Sequence, residues 1–527
     1  MKSLFLKQGL LMACLLGTLA LCAGCRKAPR TQVAVNPLTY TDIPDNDVIR
    51  VGEDYYMVST TMYFCPGAPV MHSRDLVHWE IVSYIYDVLE DDDVYNLRDG
   101  KNAYGKGQWA TSLRYHEGVF YALFVANDQH RSYLYRTRDI VNGPWERTVF
   151  DDWFFHDPSL LFEDGRLWVV WGNGELRLLE LEPDGTGVKD GAEPQVIISA
   201  PAEGWGLRAE GAHFYHIGDY YYVLEIDWPQ GKPRTATVWR SREITGPYES
   251  KVVLQGTLGG RPDGIAQGPI VDTPSGDWYA IQFQDHGAVG RIPTIQRVTW
   301  EDGWPVMGDG GLPEETVTVN LPPSGSDYVW DSDEFDGNSL ALVWQWNHKA
   351  PSDWSLAERP GWLRLHTHAA SGIADARGTL TQRTVGPRCV SEVLLDASAL
   401  TPGDQAGLCA FQSGSARIGV ECREDGIRDI VIREKEEIVY RTPLEGNRVR
   451  LRLRIRYVFT PQEYGETSDT AFFGWTVDGE NWTEPDYCLQ MRYTLDYFTG
   501  YRSALYCFNT EGDGGAADFD YFHQAVY

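Results

Sequence analysis

Three carboxylic acids in this 527-residue chain fall at one phase of a repeated pattern, and acids gathered in one place can do acid–base work. The pattern is a short apolar strand, a turn with glycine, and an aromatic-rich strand. It reads VIRVGEDYYMVS at 48–59, SLRYHEGVFYALFV at 112–125, SLLFEDGRLWVVW at 159–171, AHFYHIGDYYYVLE at 212–225 and PIVDTPSGDWYAIQF at 269–283. Seven to nine residues before the turn glycines Gly52, Gly118, Gly165, Gly218 and Gly276 stand Asp45, Trp109, Asp157, Glu210 and Gln267. A lone Asp ahead of a strand is usually a turn or cap residue, but three acids in phase point to a site. Neighbouring carboxylates tune each other's pKa. One that stays protonated can donate to the leaving oxygen of a glycosidic bond, while another activates water or attacks directly. Trp109 and Phe64 are candidates to wall such a pocket against a sugar ring, with core packing as the competing role.

Positioning these residues requires a fold with radial repetition. A second pattern, HSRDLVHW at 72–79, YRTRDIVNGPW at 135–145 and WRSREITGPY at 239–248, reads as the outer half of a four-stranded unit. Five such units predict an all-β chain that begins with a five-bladed β-propeller, whose inner strands line a central axis. The propeller is expected over residues 36–320, and the Pro/Gly/Ser-rich stretch at 321–329 (LPPSGSD and the residues after it) reads as a linker. From 330 to 527 short alternating strands predict a two-sheet, concanavalin-like β-sandwich.

Composition narrows the function classes. Lys plus Arg is 46 and Asp plus Glu is 75, so the net charge of 46 − 75 = −29 disfavours nucleic acid as a partner. The 43% hydrophobic and 23% charged content is that of a globular protein. The 19 Trp, 29 Tyr and 19 Phe, with 53 Gly and 28 Pro, fit many short strands and tight turns. Of the nine cysteines, the six from Cys65 onward include no pair at close metal-ligand spacing, so zinc is not expected and buried thiols are. Residues 1–24 read as a leader: basic Lys2 and Lys7, then an apolar run, then Ala23-Gly24 before Cys25. That end resembles a bacterial lipoprotein signal with Cys25 as the lipidated residue and 25–35 as a tether. An exported protein anchored by lipid is expected, its anchor facing the periplasm because Arg26, Lys27 and Arg30 stand where an acidic export run would be.

The chain as a whole resembles glycoside hydrolase family 43, in the group with a C-terminal β-sandwich. The resemblance rests on Asn36-Pro37, Pro44-Asp45, VGEDYYMVSTTM, PGAPVMHSRDLVHW, HDPSLLFEDG, AEGAHF, GRIPTIQRVTWEDGWPV and, in the second domain, WDSDEFDGNSLALVWQWNH with PGWLRLHT after it. It implies an exo-acting, inverting hydrolase that releases terminal xylose or arabinofuranose from plant-wall oligosaccharides. By motif, Asp45 matches the general base, Glu210 the general acid, Asp157 the acid that orients and tunes the pair, and Arg291 a contact to the sugar hydroxyls. No cofactor is implied. Gln267 falls where many members have a histidine near the axis, so a central calcium ion is not supported by the sequence. Asn46, Thr111 and Ala212 also depart from the family pattern, without removing a catalytic group. A retaining fructan-type hydrolase would carry Asn-Asp-Pro, Arg-Asp-Pro and Glu-Cys where this chain has Pro-Asp-Asn, His-Asp-Pro and Glu-Gly. A non-catalytic glycan-binding lipoprotein would be expected to have lost an acid. The sandwich is expected to serve as a binding module, a brace or a donor of a loop to the pocket, with 497–509 read either as its contact or as a core strand of the sandwich. Oligomeric state is not readable from the sequence.

Overall fold

A computed structural model describes residues 31–459 and 468–527. The leader and Cys25 lie outside the described residues. No described helix is long and apolar enough to cross a membrane.

The five hairpins each grow into a four-stranded blade. Blade 1 is Asp47–Val51, Asp54–Val58, Gly67–Ser73 and Glu80–Tyr86. Blade 2 runs from Gln108–His116 through Val119–Ala126 and Arg131–Thr137 to Glu146–Phe150. Blade 3 runs from Ser159–Glu163 through Arg166–Asn173 and Glu175–Leu181 to Gln195–Ser199. Blade 4 is Trp205–Ile217, Tyr220–Pro229, Thr235–Ser241 and Glu249–Gln255. In blade 5 the inner strand is broken in two, Ile265–Ala266 and Ile270–Asp272, both paired to Trp278–Asp285, and Arg291–Glu301 and Trp304–Met307 follow. Inner strands of consecutive blades touch, and blade 5 meets blade 1, so the ring closes. Apolar clusters fill the spaces between blades, such as Leu123, Leu134, Leu160, Val169 and Leu179 between blades 2 and 3.

The chain ends of the propeller differ from expectation. Gln32–Val35, expected to be tether, pairs antiparallel with Thr316–Val319 and ties the two ends of the propeller together. The stretch expected to be a free linker lies on blade 1: Tyr328 N–H donates to Trp79 O at 3.0 Å, and Ile81 N–H returns to Tyr328 O at 3.0 Å.

The sandwich has sheets of eight and six strands. Alternation explains how it closes: in Arg448–Arg456 (RVRLRLRIR) Val449, Leu451, Leu453 and Ile455 are fully buried while the intervening arginines point outward. The larger sheet contains Asp404–Phe411, Arg502–Asn509, Gly378–Arg383 and Gln345–Asn347, and its last strand is Phe64–Cys65, which belongs to the propeller segment of the chain. The domains are thus joined by a shared sheet. The six described cysteines are unpaired and five are buried, as apolar thiols.

Candidate active site

The residues that share a phase also share a backbone irregularity. Asp45, Asp157 and Gln267 have φ of 50°, 47° and 55°, in the left-handed region that side chains rarely adopt. In blade 2 the ladder shifts register between Gln108 and Thr111, around Trp109. In blade 4 it shifts on both sides of Glu210, and the preceding Ala209 has φ 29°. Bulges and strained residues re-aim a side chain where a regular strand would pair it. Each inner strand therefore starts with a kink that turns one side chain into the mouth of the axis.

Asp45 is nearly buried and receives Arg291 Nη1 on Oδ1 at 2.6 Å. Burial pushes the Asp45 carboxyl above its ordinary range; Arg291 opposes this and the Asp157 charge adds to it. Asp157, 7% exposed, accepts the Gly211 N–H on Oδ2 at 3.0 Å. Its pKa is also raised, first by burial, with His156 opposing and Glu210 adding. Gly211 is required here: its φ is 66°, and a Cβ would lie 2.6 Å from Gln267 Cγ. That contact also locates Gln267 beside the Asp157–Glu210 pair. Glu210 accepts on Oε2 from Asn173 Nδ2, and His156 Nε2 lies 3.4 Å from the same oxygen. His156 also stands 3.8 Å from Asp157 Oδ2. The Asp157 charge, with help from Glu210 and against burial, pushes the His156 imidazole up to about 9, so it is a cation at neutral pH. Behind Glu210, Asp227 fixes the kink by accepting the Ala209 N–H at 2.9 Å.

The sandwich supplies the far wall. Phe498, itself at φ 57°, has its ring 5.8 Å from that of Trp109 and 4.8 Å from the Arg291 guanidinium. Asp42 holds both sides of this contact: its carboxylate accepts the Arg291 N–H at 2.7 Å and the Gly500 N–H at 2.8 Å. Trp109 also packs edge-on to His156 at 6.0 Å, and its Nε1 has no protein partner. So the structure gathers Asp45, Trp109, Asp157, Glu210, Gln267 and Arg291 at one mouth.

Phe64 is not among them. It is 1% exposed, lies in the edge strand of the sandwich sheet, and carries the Arg502 guanidinium 3.7 Å over its ring, so it offers no face to a sugar. The sequence offers it as an aromatic to wall the pocket or to pack in the core, and the structure shows the second. Sequence reasoning missed His156 and Asn173, and reached Phe498 only as part of the segment 497–509. His156 was legible as the neighbour of Asp157, and Asn173 as the polar end of Arg166–Asn173. Phe498 lies more than 450 residues from Asp45, and no local signal connects them.

His156, Asp157 and Glu210 are the one group among the described residues whose donor atoms, all within 4.8 Å of one another, could hold a metal ion. Protonated His156 already supplies positive charge between the two carboxylates, which suits proton transfer better than ligation. Proton transfer between carboxyl groups and a glycosidic oxygen requires no cofactor.

A propeller that gathers three carboxylates at its axis, one against an arginine and two around an imidazole, has the equipment of an enzyme that cleaves glycosidic bonds. Residues 34–305 match the family model for glycosyl hydrolases family 43, and residues 332–524 match that of the beta-xylosidase C-terminal concanavalin A-like domain. The chain belongs to glycosyl hydrolase family 43 and is a glycosidase that hydrolyses O-glycosyl bonds. It is 28% identical over 554 residues to a β-xylosidase of Formosa agariphila, covering 93% of this chain and 89% of that one. It is 32% identical over 351 residues to a non-reducing end α-L-arabinofuranosidase of Bacteroides ovatus, covering 63% of this chain and 64% of that one. A solved bifunctional GH43-CE protein from Bacteroides eggerthii is 40% identical with a TM-score of 0.87, over 94% of this chain and 64% of that one. The chain thus spans less than two thirds of the last two proteins.

Proposed function

We propose that the chain is an exo-acting, inverting β-xylosidase or α-L-arabinofuranosidase that trims terminal pentoses from plant-wall oligosaccharides. Asp45 is the general base, Glu210 the general acid, and Asp157 orients and tunes the pair. The observation that carries the assignment is the asymmetry between the two ends of the site. Asp45 is paired with Arg291, a permanent cation that favours its ionised form. Glu210 has no permanent cation against it: its partner is the imidazolium of His156, shared with Asp157, which can itself give up and take back a proton. In the forward step Asp45 takes a proton from water as the water attacks the anomeric carbon, and Glu210 gives its proton to the departing oxygen. Arg291, Trp109 and Gln267 line the pocket for the terminal sugar, and Phe498 closes one side of it, which favours chain ends over chain interiors.

The curated relatives named above include both a β-xylosidase and an α-L-arabinofuranosidase, which supports the pentose assignment without choosing between the two sugars. Side-by-side hydrolysis of aryl β-xyloside and aryl α-arabinofuranoside tests it; turnover of neither would overturn the pentose reading. Export with a lipid on Cys25, facing the periplasm, remains part of the proposal. Cys25→Ala should release the protein from the membrane fraction, and an unchanged membrane association would refute the anchor.

A further inference from the structure

Two carboxyl groups lie buried side by side behind Glu210. Glu225 and Asp227 stand two residues apart on Tyr220–Pro229, the second strand of blade 4, so they project from the same face. They are 2% and 4% exposed. Asp227 has both oxygens engaged: Oδ1 accepts the Ala209 N–H at 2.9 Å, and Oδ2 accepts the Thr237 hydroxyl at 2.9 Å. Glu225 Oε1 accepts the Trp239 Nε1–H at 3.0 Å. Glu225 Oε2 is buried and no described N–H or O–H reaches it, while the Asp227 carboxyl stands within hydrogen-bonding range of the Glu225 carboxyl.

Ionised carboxylates only accept, so a hydrogen bond between two of these groups requires a proton on one of them. Both Asp227 oxygens already accept from donors, whereas Glu225 Oε2 has none, so the proton belongs on Glu225. Two adjacent buried carboxylates, both ionised, would repel each other with no solvent to screen them. Burial, and then the negative charges of Asp227 and Glu210, push the Glu225 carboxyl well above the ordinary carboxylate range; the Trp239 bond opposes them.

We infer that Glu225 is a neutral carboxylic acid that donates a hydrogen bond to Asp227 and through it positions Glu210. Ala209, at φ 29°, is the strained residue immediately before Glu210, and its N–H is tied to Asp227 Oδ1. Trp239 fixes one Glu225 oxygen, and the Glu225 hydroxyl on the other orients Asp227. A chain of three hydrogen bonds thus runs from Trp239 on the third strand of blade 4 to the kink that aims the general acid. Glu225 touches no substrate and is a positioning residue. The inference rests on the reading of Glu210 as the general acid.

The infrared difference spectrum of the full chain, wild type minus Glu225→Gln at neutral pH, should contain the C=O band of a protonated carboxyl, shifted in D2O. Carboxylate bands in its place would overturn the neutral state. Glu225→Gln, whose amide N–H can donate to Asp227, should keep kcat within about twofold. Glu225→Leu removes the donor. It should lower kcat about 10–100-fold on a glycoside with an alkyl leaving group, which needs the proton of Glu210, and within about threefold on the dinitrophenyl glycoside of the same sugar, which leaves without it. If Glu225→Leu does not fold, Glu225→Asp, which draws the hydroxyl back by one methylene, gives the same comparison. Equal losses on the two glycosides, no loss on either, or a loss in Glu225→Gln as large as in Glu225→Leu would each overturn the positioning role. Failure of the Glu210 reading itself would show separately, as a Glu210→Gln variant without that leaving-group dependence.

Discussion

Along Arg448–Arg456 the sandwich alternates arginine outward and apolar residue inward without interruption, whereas the inner strands of the propeller follow residues such as Asp45 and Asp157 with φ near 50°. The sandwich buries Leu451, Leu453 and Ile455, and regular pairing sets every side chain on its proper face. The propeller axis buries carboxylates beside one another, held by Arg291, His156 and the N–H of Gly211. Regular strands give stability, and the irregular starts of strands give chemistry. The regions meet at Phe498, a sandwich residue at a propeller mouth, and at Phe64, a propeller residue in a sandwich sheet.

The two regions should therefore respond differently to substitution. Glu210→Gln and Asp45→Asn should each lower kcat by about 10²–10⁴-fold. The Glu210→Gln melting temperature should move little, because the change is isosteric; loss of folding rather than of turnover would blur the distinction. Leu453→Ala, at a fully buried position, should destabilise by about 2–5 kcal/mol in denaturant unfolding, with kcat of the folded fraction unchanged. Phe498→Ala should sit between these behaviours. It removes a ring from both Trp109 and Arg291, and is expected to raise KM about tenfold, near 1.4 kcal/mol, with a smaller change in kcat.

The pH dependence of stability gives a smaller effect with a definite sign. The folded pKa of His156, about 9, lies above its ordinary value of 6.5, so its charge stabilises the folded state. That contribution is fully present below about 6.5 and is lost as pH rises through about 9. The wild-type melting temperature should fall more steeply across that window than that of His156→Gln. Parallel curves would show that the imidazolium does not bind the Asp157–Glu210 pair.

The repeat was legible because each blade carries the same hairpin, and counting back from its glycine reached Asp45, Asp157 and Glu210 without any knowledge of their contacts. The count worked because the span from the kink to the turn glycine is nearly constant, seven to nine residues, although the inner strands themselves differ in length. Phe64 failed because its aromatic type fits a pocket wall and a core equally, and nothing local says that Phe64–Cys65 finds its partner at Trp346–Asn347. The tether failed for a related reason: Gln32–Val35 pairs with a strand nearly 290 residues later. Phe498 belongs to the same class of long-range pairing, and the sequence left the segment 497–509 open between a contact to the pocket and a core strand of the sandwich. In the structure it serves twice, as the wall of the mouth at Phe498 and as a central strand of the larger sheet from Arg502.

Inversion by Asp45 and Glu210 is tested most directly by proton NMR of the first sugar released from an aryl β-xyloside, before mutarotation. α-Xylose should appear first and β-xylose only as the anomers equilibrate. β-Xylose as the first product would contradict water activation by Asp45 and would require a covalent intermediate on one of the axial carboxylates.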